Sequence, residues 1–344
     1  MGAWSWIWRA LGVRQLWRVR SARRFSTEIV RGFYVAHAVG ALFRLGVWPL
    51  LRDAEGVDIT SLAAERGWEG DLLQAVCDYL YGLEVLDRVD GRYRLSAYGR
   101  TVDELALGGV LSTAAYEPLF HHLVPCIRDG IRPAGNARLS DLVAIGSGLS
   151  ARLLAFPLMA ELVEETHARR VLDLACGDGT FLSFLCQRNA GLEAIGVDLS
   201  QEAIAAGRQH LVEAGLKARV QLVCADMLEI DRLPLPWDDV QMITCIYALH
   251  ELLENEDRLV DLLAQIRQRF PAATLAICEV IRHRPEELRR HRGGLLEIQL
   301  VHDVSGQHLA TRSQWLEMLR QGGYGSVEER YLGFIRTAFF IARP

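Results

Sequence analysis

Three acidic stretches and two histidine stretches hold the residues of this chain that could do chemistry. Val171-Leu172-Asp173-Leu174-Ala175-Cys176-Gly177-Asp178-Gly179-Thr180 runs from an apolar segment into a glycine loop. Glycines let the backbone turn tightly and let a ligand approach closely. The loop is not the G-x-G-x-x-G of dinucleotide sites, because position 182 is Leu. Asp178 would also repel a pyrophosphate; it suits a cofactor bearing an amino group and a sulfonium. Asp198 follows the next apolar segment, 21 residues after Gly177. A carboxylate there can accept from both ribose hydroxyls. Cys224-Ala225-Asp226-Met227 follows the third. Asp226 can accept from an adenine amino group, with Met227 packed on the ring.

The histidines suggest a second kind of chemistry. Ile246-Tyr247-Ala248-Leu249-His250-Glu251-Leu252 continues an apolar run, and His302, Asp303 and His308 lie in Leu300-Val301-His302-Asp303-Val304-Ser305-Gly306-Gln307-His308. Two or three neutral imidazoles converging on one point make a site for zinc or iron. His250 and His302 are the first two candidate ligands and His308 the third. His121 and His122 are adjacent, so one helix cannot aim both at the same point. His283, in the basic Arg282-His283-Arg284-Pro285 stretch, reads as an ordinary surface or core residue.

These residues need a scaffold, and the pattern from position 168 onward supplies one. Strands are expected at 171–175, 194–197, 220–223, 240–246 and 274–280, with amphipathic helical stretches between them. Such alternation predicts an α/β domain with a largely parallel sheet and helices on both faces. Strands at 326–331 and 337–341, joined by a short Leu332-Gly333 connection, should form an antiparallel hairpin at the sheet edge. His302 is expected in a loop that returns over the substrate pocket.

The first half follows a different grammar. An apolar helical run covers Phe33 to Leu51, ending at Pro49. Asp58-Ile59-Thr60-Ser61 caps a second helix, and Gly70-Asp71 opens a third. Val85 to Leu95 alternates around Asp90-Gly91, a hairpin signal. Helix, helix, hairpin is a winged-helix pattern. Four segments are therefore expected: a basic Trp/Arg-rich helix over 1–26, a winged-helix domain over 27–105, a helical connector over 106–165 and a cofactor-binding domain over 166–344. Within the connector, Leu153 to Met159 is a candidate pocket wall.

Composition narrows the class. The chain has 344 residues, half of them hydrophobic and 24% charged, with a formal net charge of -5. From Asp58 to Glu104 there are ten acids against five arginines and no lysine. That sign is wrong for tracking phosphates, so nucleic acid is not an expected partner. Seven cysteines without a C-x-x-C spacing point to a reducing, cytoplasmic setting and no cysteine zinc site. No apolar run is long enough to span a bilayer. Residues 1–24 carry six arginines, no acid and tryptophans 4, 6, 8 and 17. They read as an extra helix packed on the body or on a dimer partner, in preference to a membrane-surface helix or a targeting segment, whose apolar stretch Arg9 would break.

The order of the three acidic elements resembles class I S-adenosylmethionine-dependent methyltransferases. The winged first half resembles their dimeric small-molecule O-methyltransferase branch, and the resemblance covers roughly residues 27–344. It implies a Rossmann-like sheet, a homodimer through the N-terminal helices, and S-adenosylmethionine held by Asp173, Gly177, Asp178, Gly179, Asp198, Leu199, Asp226 and Met227, with Cys245 also counted among the cofactor contacts. In plant-type O-methyltransferases a histidine followed by an acid, here His250-Glu251, is the general base for a hydroxyl. The 52-residue gap from His250 to His302 resembles instead the metal-dependent α-keto acid C-methyltransferases of the phenylpyruvate and 2-ketoarginine type. That resemblance implies a metal that chelates the keto acid and, as a Lewis acid, stabilises its enolate for attack on the sulfonium methyl. The leading expectation is metal-assisted C-methylation of an α-keto acid. The alternative is metal-free O-methylation of a small hydroxylated or aromatic substrate, and a remote one is a non-catalytic cofactor-binding regulatory protein.

Overall fold

The computed structural model describes residues 3–130, 137–233, 235, 239–288 and 296–344. The chain divides into two compact units, residues 1–121 with 134–150 and residues 122–133 with 151–344. Among the described residues no single helix is long and apolar enough to cross a membrane.

In the first unit one helix runs over Ala3–Arg44. It joins the basic segment and the apolar run that the sequence pattern separates, because no proline interrupts either. The run also breaks earlier than Pro49. Gly46 adopts φ 71°, and a four-residue helix, Val47–Leu50, follows. Asp58 caps Ile59–Arg66 by accepting from the Ser61 amide. Gly70–Gly82 follows, then an antiparallel hairpin of β1 (Leu86–Val89) and β2 (Arg92–Leu95). Asp90 and Gly91 both have positive φ, 50° and 81°, as a tight two-residue hairpin turn requires. Val39, Leu42, Trp48, Leu51, Ile59, Leu80, Leu86 and Tyr93 form the core of this unit.

The second unit is built on a seven-stranded sheet: β3 (Arg170–Leu174), β4 (Glu193–Asp198), β5 (Val220–Cys224), β6 (Met242–Ile246), β7 (Thr274–Val280), β8 (Ser326–Leu332) and β9 (Thr337–Arg343). Their order is β5-β4-β3-β6-β7-β9-β8. The first five strands are parallel, and β9 runs antiparallel between β7 and β8. Side chains alternate between two cores. Leu172, Leu174, Ile243, Cys245, Leu275 and Ile277 face one with the helices Glu256–Arg269 and Arg312–Gln321. Val171, Ala194, Val220, Met242, Ala276 and Cys278 face the other with Ala155–Glu165, Thr180–Arg188 and Gln201–Glu213. Each fully buried Leu or Ile contributes about 1.5–3 kcal/mol. Strands buried on both faces explain the near-continuous apolar runs in the sequence.

Strand order reverses between β3 and β6, since β4 and β5 lie to one side and β7 to the other. Ligands of open α/β sheets bind outside the carboxyl ends of the strands at this junction. Two residues with left-handed backbone flank it: Ala175 (φ 55°) after β3 and Tyr247 (φ 54°) after β6. Positive φ in non-glycine residues is costly and clusters at functional sites.

Candidate active site

On one side of the junction lies the glycine loop. Gly177 and Gly179 have φ 57° and 69°, so with Ala175 three of five consecutive residues turn left-handed. A side chain at Gly177 would meet nothing within 4 Å, so that face of the loop is open. Gly207 lets the helix Gln201–Glu213 press on the loop from behind; a Cβ there would fall 2.3 Å from the Asp178 carbonyl oxygen. The Asp178 carboxylate accepts from the Thr180 amide at 3.1 Å and from its hydroxyl at 2.6 Å.

The other cofactor candidates sit at the ends of adjacent strands. Asp198 Oδ2 accepts from the Gly177 amide and Oδ1 from the Ser200 amide, both at 2.8 Å. Each oxygen keeps a second lone pair for a ribose hydroxyl. Asp226 accepts from the Leu228 amide at 2.9 Å, which caps the short turn Met227–Glu229. Met227 is half-buried, and Leu199 is 72% exposed at the end of β4. Asp173 is buried opposite Thr244 of β6 and accepts its hydroxyl hydrogen at 2.6 Å. Burial pushes the Asp173 carboxyl up to about 7 against the opposing Thr244 hydrogen bond, and the nearby Asp198 charge adds to the rise. Cys245 is fully buried in a core, so its thiol meets protein side chains. Phe156 and Met159, from the segment read as a pocket wall, are core residues too, with Phe156 against the Phe181 ring at 5.1 Å.

Across the junction stands His250, on the short turn Leu249–Leu252 after β6 and 8% exposed. Its Nδ1 is 2.8 Å from Glu279 Oε2, and its backbone amide donates to Glu279 Oε1 at 3.2 Å. Glu279 lies in β7 with no solvent exposure. A carboxylate only accepts, so the pair places the ring proton on Nδ1 and the lone pair of the neutral ring on Nε2. No motif in the sequence pairs Glu279 with His250. Its signal was an acid inside Thr274-Leu275-Ala276-Ile277-Cys278-Glu279-Val280, an otherwise buried apolar strand. Glu251, which the sequence pattern paired with His250, is exposed.

His302 meets His250 with ring centroids 5.1 Å apart and planes at 69°. It lies on a helix, Leu296–Ser305, in place of the expected loop. Its Nδ1 donates to the Ile298 carbonyl at 2.7 Å, so its neutral lone pair is also on Nε2. The helix is tied to the exit of β7 in two ways. Gln299 accepts from the His283 amide at 3.0 Å and donates to its carbonyl at 3.3 Å. Asp303 pairs with Arg282 at 2.7 Å. His308 is exposed. Among the described residues no group of three His, Cys, Asp or Glu side chains has metal-binding geometry. A polar cavity of about 420 Å³ near the β8 edge, lined by His283, Arg312, Glu329 and Tyr331, contains neither His250 nor His302.

Residues 171–288, from β3 through the exit of β7, match the Methyltransferase domain family. The chain is 29% identical over 317 residues to the 2-ketoarginine methyltransferase of Streptomyces arginensis, covering 89% of each chain. It is 28% identical over 269 residues to the indolepyruvate C-methyltransferase of Streptomyces griseus, covering 74% of this chain and 76% of that one. The chain is an S-adenosylmethionine-dependent methyltransferase. The fold of this methyltransferase is shared with human N-acetylserotonin methyltransferase, solved in complex with S-adenosylmethionine, at a TM-score of 0.65 and 17% identity over 94% of this chain and 97% of that one. The candidate site thus divides into a candidate cofactor half at β3, β4 and β5 and a candidate acceptor half at β6 and β7.

Proposed function

We propose that this methyltransferase transfers the methyl group to the β-carbon of an α-keto acid, assisted by a zinc or iron ion held by His250 and His302. The observation that carries the reading is the imidazole pair, 5.1 Å apart, with each Nδ1 engaged by a fixed acceptor. This donor set fits such an ion: imidazole suits both metals, and carboxylate or carbonyl partners on the second nitrogen are the usual support of a ligating histidine. Two protein donors also leave positions for a substrate that brings a carboxylate and a keto oxygen of its own. The names of the two Streptomyces relatives agree with a keto-acid acceptor. A bound ion would polarise the keto oxygen and acidify the carbon next to it. Glu279 fixes the His250 tautomer and raises the basicity of Nε2, and the Ile298 carbonyl orients His302. Asp178, Asp198 and Asp226 hold the cofactor along the neighbouring strand ends, which brings donor and acceptor together.

The Glu279 contact favours a second reading. A histidine oriented by a buried carboxylate is also the arrangement of a general base, which would serve O-methylation of a hydroxylated aromatic. Metal analysis of the purified enzyme separates the two. Near-stoichiometric zinc or iron that His302→Ala releases, with activity lost in chelator, is the expected result. Undiminished methylation of a phenol by metal-free enzyme would sink the keto-acid reading.

The first unit supports a homodimer. Phe25, Ile29, Val30, Phe33 and Tyr34 are each at least half exposed and repeat at helical spacing on Ala3–Arg44. An exposed apolar stripe of this kind marks an interaction surface. Light scattering should give the dimer mass, and Phe33→Asp should shift it toward monomer.

A further inference from the structure

The cavity near the β8 edge takes no part in the chemistry proposed above. It encloses about 420 Å³, within the range of small-molecule sites, and lies wholly inside the second unit. The guanidiniums of Arg282, Arg284 and Arg312 line it, against the carboxylates of Glu287 and Glu329. The lining therefore carries an excess of positive charge before His283 is counted. The hydroxyls of Thr311, Ser313 and Tyr331 add donors, and Ile281 and Leu316 supply an apolar wall.

Two of the cations are already oriented. Glu329 accepts from Arg312 Nε and, at 3.0 Å, from Nη2, and the guanidinium carbon lies 4.7 Å from the centre of the Tyr331 ring. Asp303, outside the lining, accepts from Arg282 Nη1 at 2.7 Å. A guanidinium has five donor hydrogens, so each arginine keeps some for a ligand. Arg284 and Ser313 are exposed. Oriented guanidiniums with donors to spare match the paired oxygens of a carboxylate or a phosphate.

The cavity also reaches the acceptor half through one residue. His283 is 5% exposed, and its Nε2 lies 2.5 Å from the Tyr331 hydroxyl in the cavity wall. Its backbone amide and carbonyl are the two groups that bond Gln299, on the helix that carries His302. The neighbouring Arg282 pairs with Asp303 of the same helix. A ligand drawing on Arg282 and Tyr331 would thus act on the segment that fixes Leu296–Ser305.

We propose that this cavity binds a small oxyanion, the carboxylate or phosphate group of a metabolite, and that its occupancy steadies the helix Leu296–Ser305 through His283 and Gln299. Binding is independent of the keto-acid reading; only its bearing on catalysis rests on the role given to His302.

Calorimetric titration of the full chain with succinate and with glycerol 3-phosphate, at constant ionic strength, tests the site and tells a carboxylate pocket from a phosphate pocket. Saturable binding of at least one is expected. Arg284→Ala should weaken it about 10-fold or more, a charge-assisted hydrogen bond being lost. Ser313→Glu, which adds a carboxylate at an exposed position, should weaken it at least as far. Both variants should melt as the wild type does. Hydrogen exchange tests the link: the bound probe should slow amide exchange over 296–305 several-fold in the wild type and not in Gln299→Leu. Saturable binding of neither probe overturns the proposal, as does binding that Arg284→Ala and Ser313→Glu leave unchanged. Binding without added protection of the helix overturns the link to His302. Neither measurement reads metal or turnover, so failure here is distinct from failure of the keto-acid reading.

Discussion

The two halves of the site are built in opposite ways. In the cofactor half, every candidate side chain follows directly on the strand that positions it: Asp178 after β3, Asp198 at the end of β4, Asp226 after β5. Parallel register alone then lines them up. In the acceptor half, His250, Glu279 and His302 are separated by 29 and 23 residues and come from a turn, a strand and a helix. Only packing brings them together. A local motif tolerates change in what surrounds it, whereas a convergent cluster depends on every element that carries it. Changes confined to one half should therefore leave the other readable.

The largest effect is expected in the cofactor half. Asp198→Ala removes a carboxylate that would bind the ribose and also loses the Gly177 and Ser200 amide contacts. S-adenosylhomocysteine affinity should fall about 100-fold or more, two or more charge-assisted hydrogen bonds being lost. Metal content should not change. An equal loss of metal would break the division into halves.

Glu279→Gln is the mirror experiment. It keeps shape and burial but removes the negative charge on His250 Nδ1. Turnover, and metal affinity if the ion is present, should drop about 10- to 100-fold. Calorimetry should show S-adenosylhomocysteine affinity within about 2-fold of wild type.

Asp173 sits where the halves meet, bonded across β3 and β6. Its carboxyl, raised from 3.8 to about 7 by burial, favours the protonated folded state. That contribution to stability is full below pH 4 and is lost as pH rises through about 7. Melting curves of the ligand-free protein should show this fall, and Asp173→Asn should flatten it. An ammonium bound nearby would favour the ionised carboxylate, so cofactor affinity should rise with pH over the same window.

The smallest effect tests the scaffold alone. Ser200 caps Gln201–Glu213 by accepting from the Ala203 amide at 3.1 Å. Ser200→Ala should cost about 1 kcal/mol in denaturant unfolding and alter neither metal content nor the His250 chemistry.

Legibility follows the same division. The alternating strands, the edge hairpin, the Asp90-Gly91 turn and the three strand-end acids were all visible, because each depends on neighbours within a few residues. The sequence pattern divides the long first helix in two because composition changes along it while the backbone does not. Glu279 was missed because a buried acid is informative only when its partner is known, and that partner lies 29 residues away. Glu251 stands next to His250 in sequence but is exposed, whereas Glu279 meets the His250 ring in space.

The sequence by itself therefore determined the fold class, the order of the acidic elements and the cofactor they imply. Hydrophobic period and strand-end chemistry are local properties, and a parallel sheet converts them into a site without further information. The tertiary structure alone decided which carboxylate orients His250, that His302 faces it from a helix, and that His308 is exposed. Those facts depend on how β7 and the helix Leu296–Ser305 pack, through the Gln299 and Asp303 ties, and no spacing along the chain encodes a distance between side chains on separate elements.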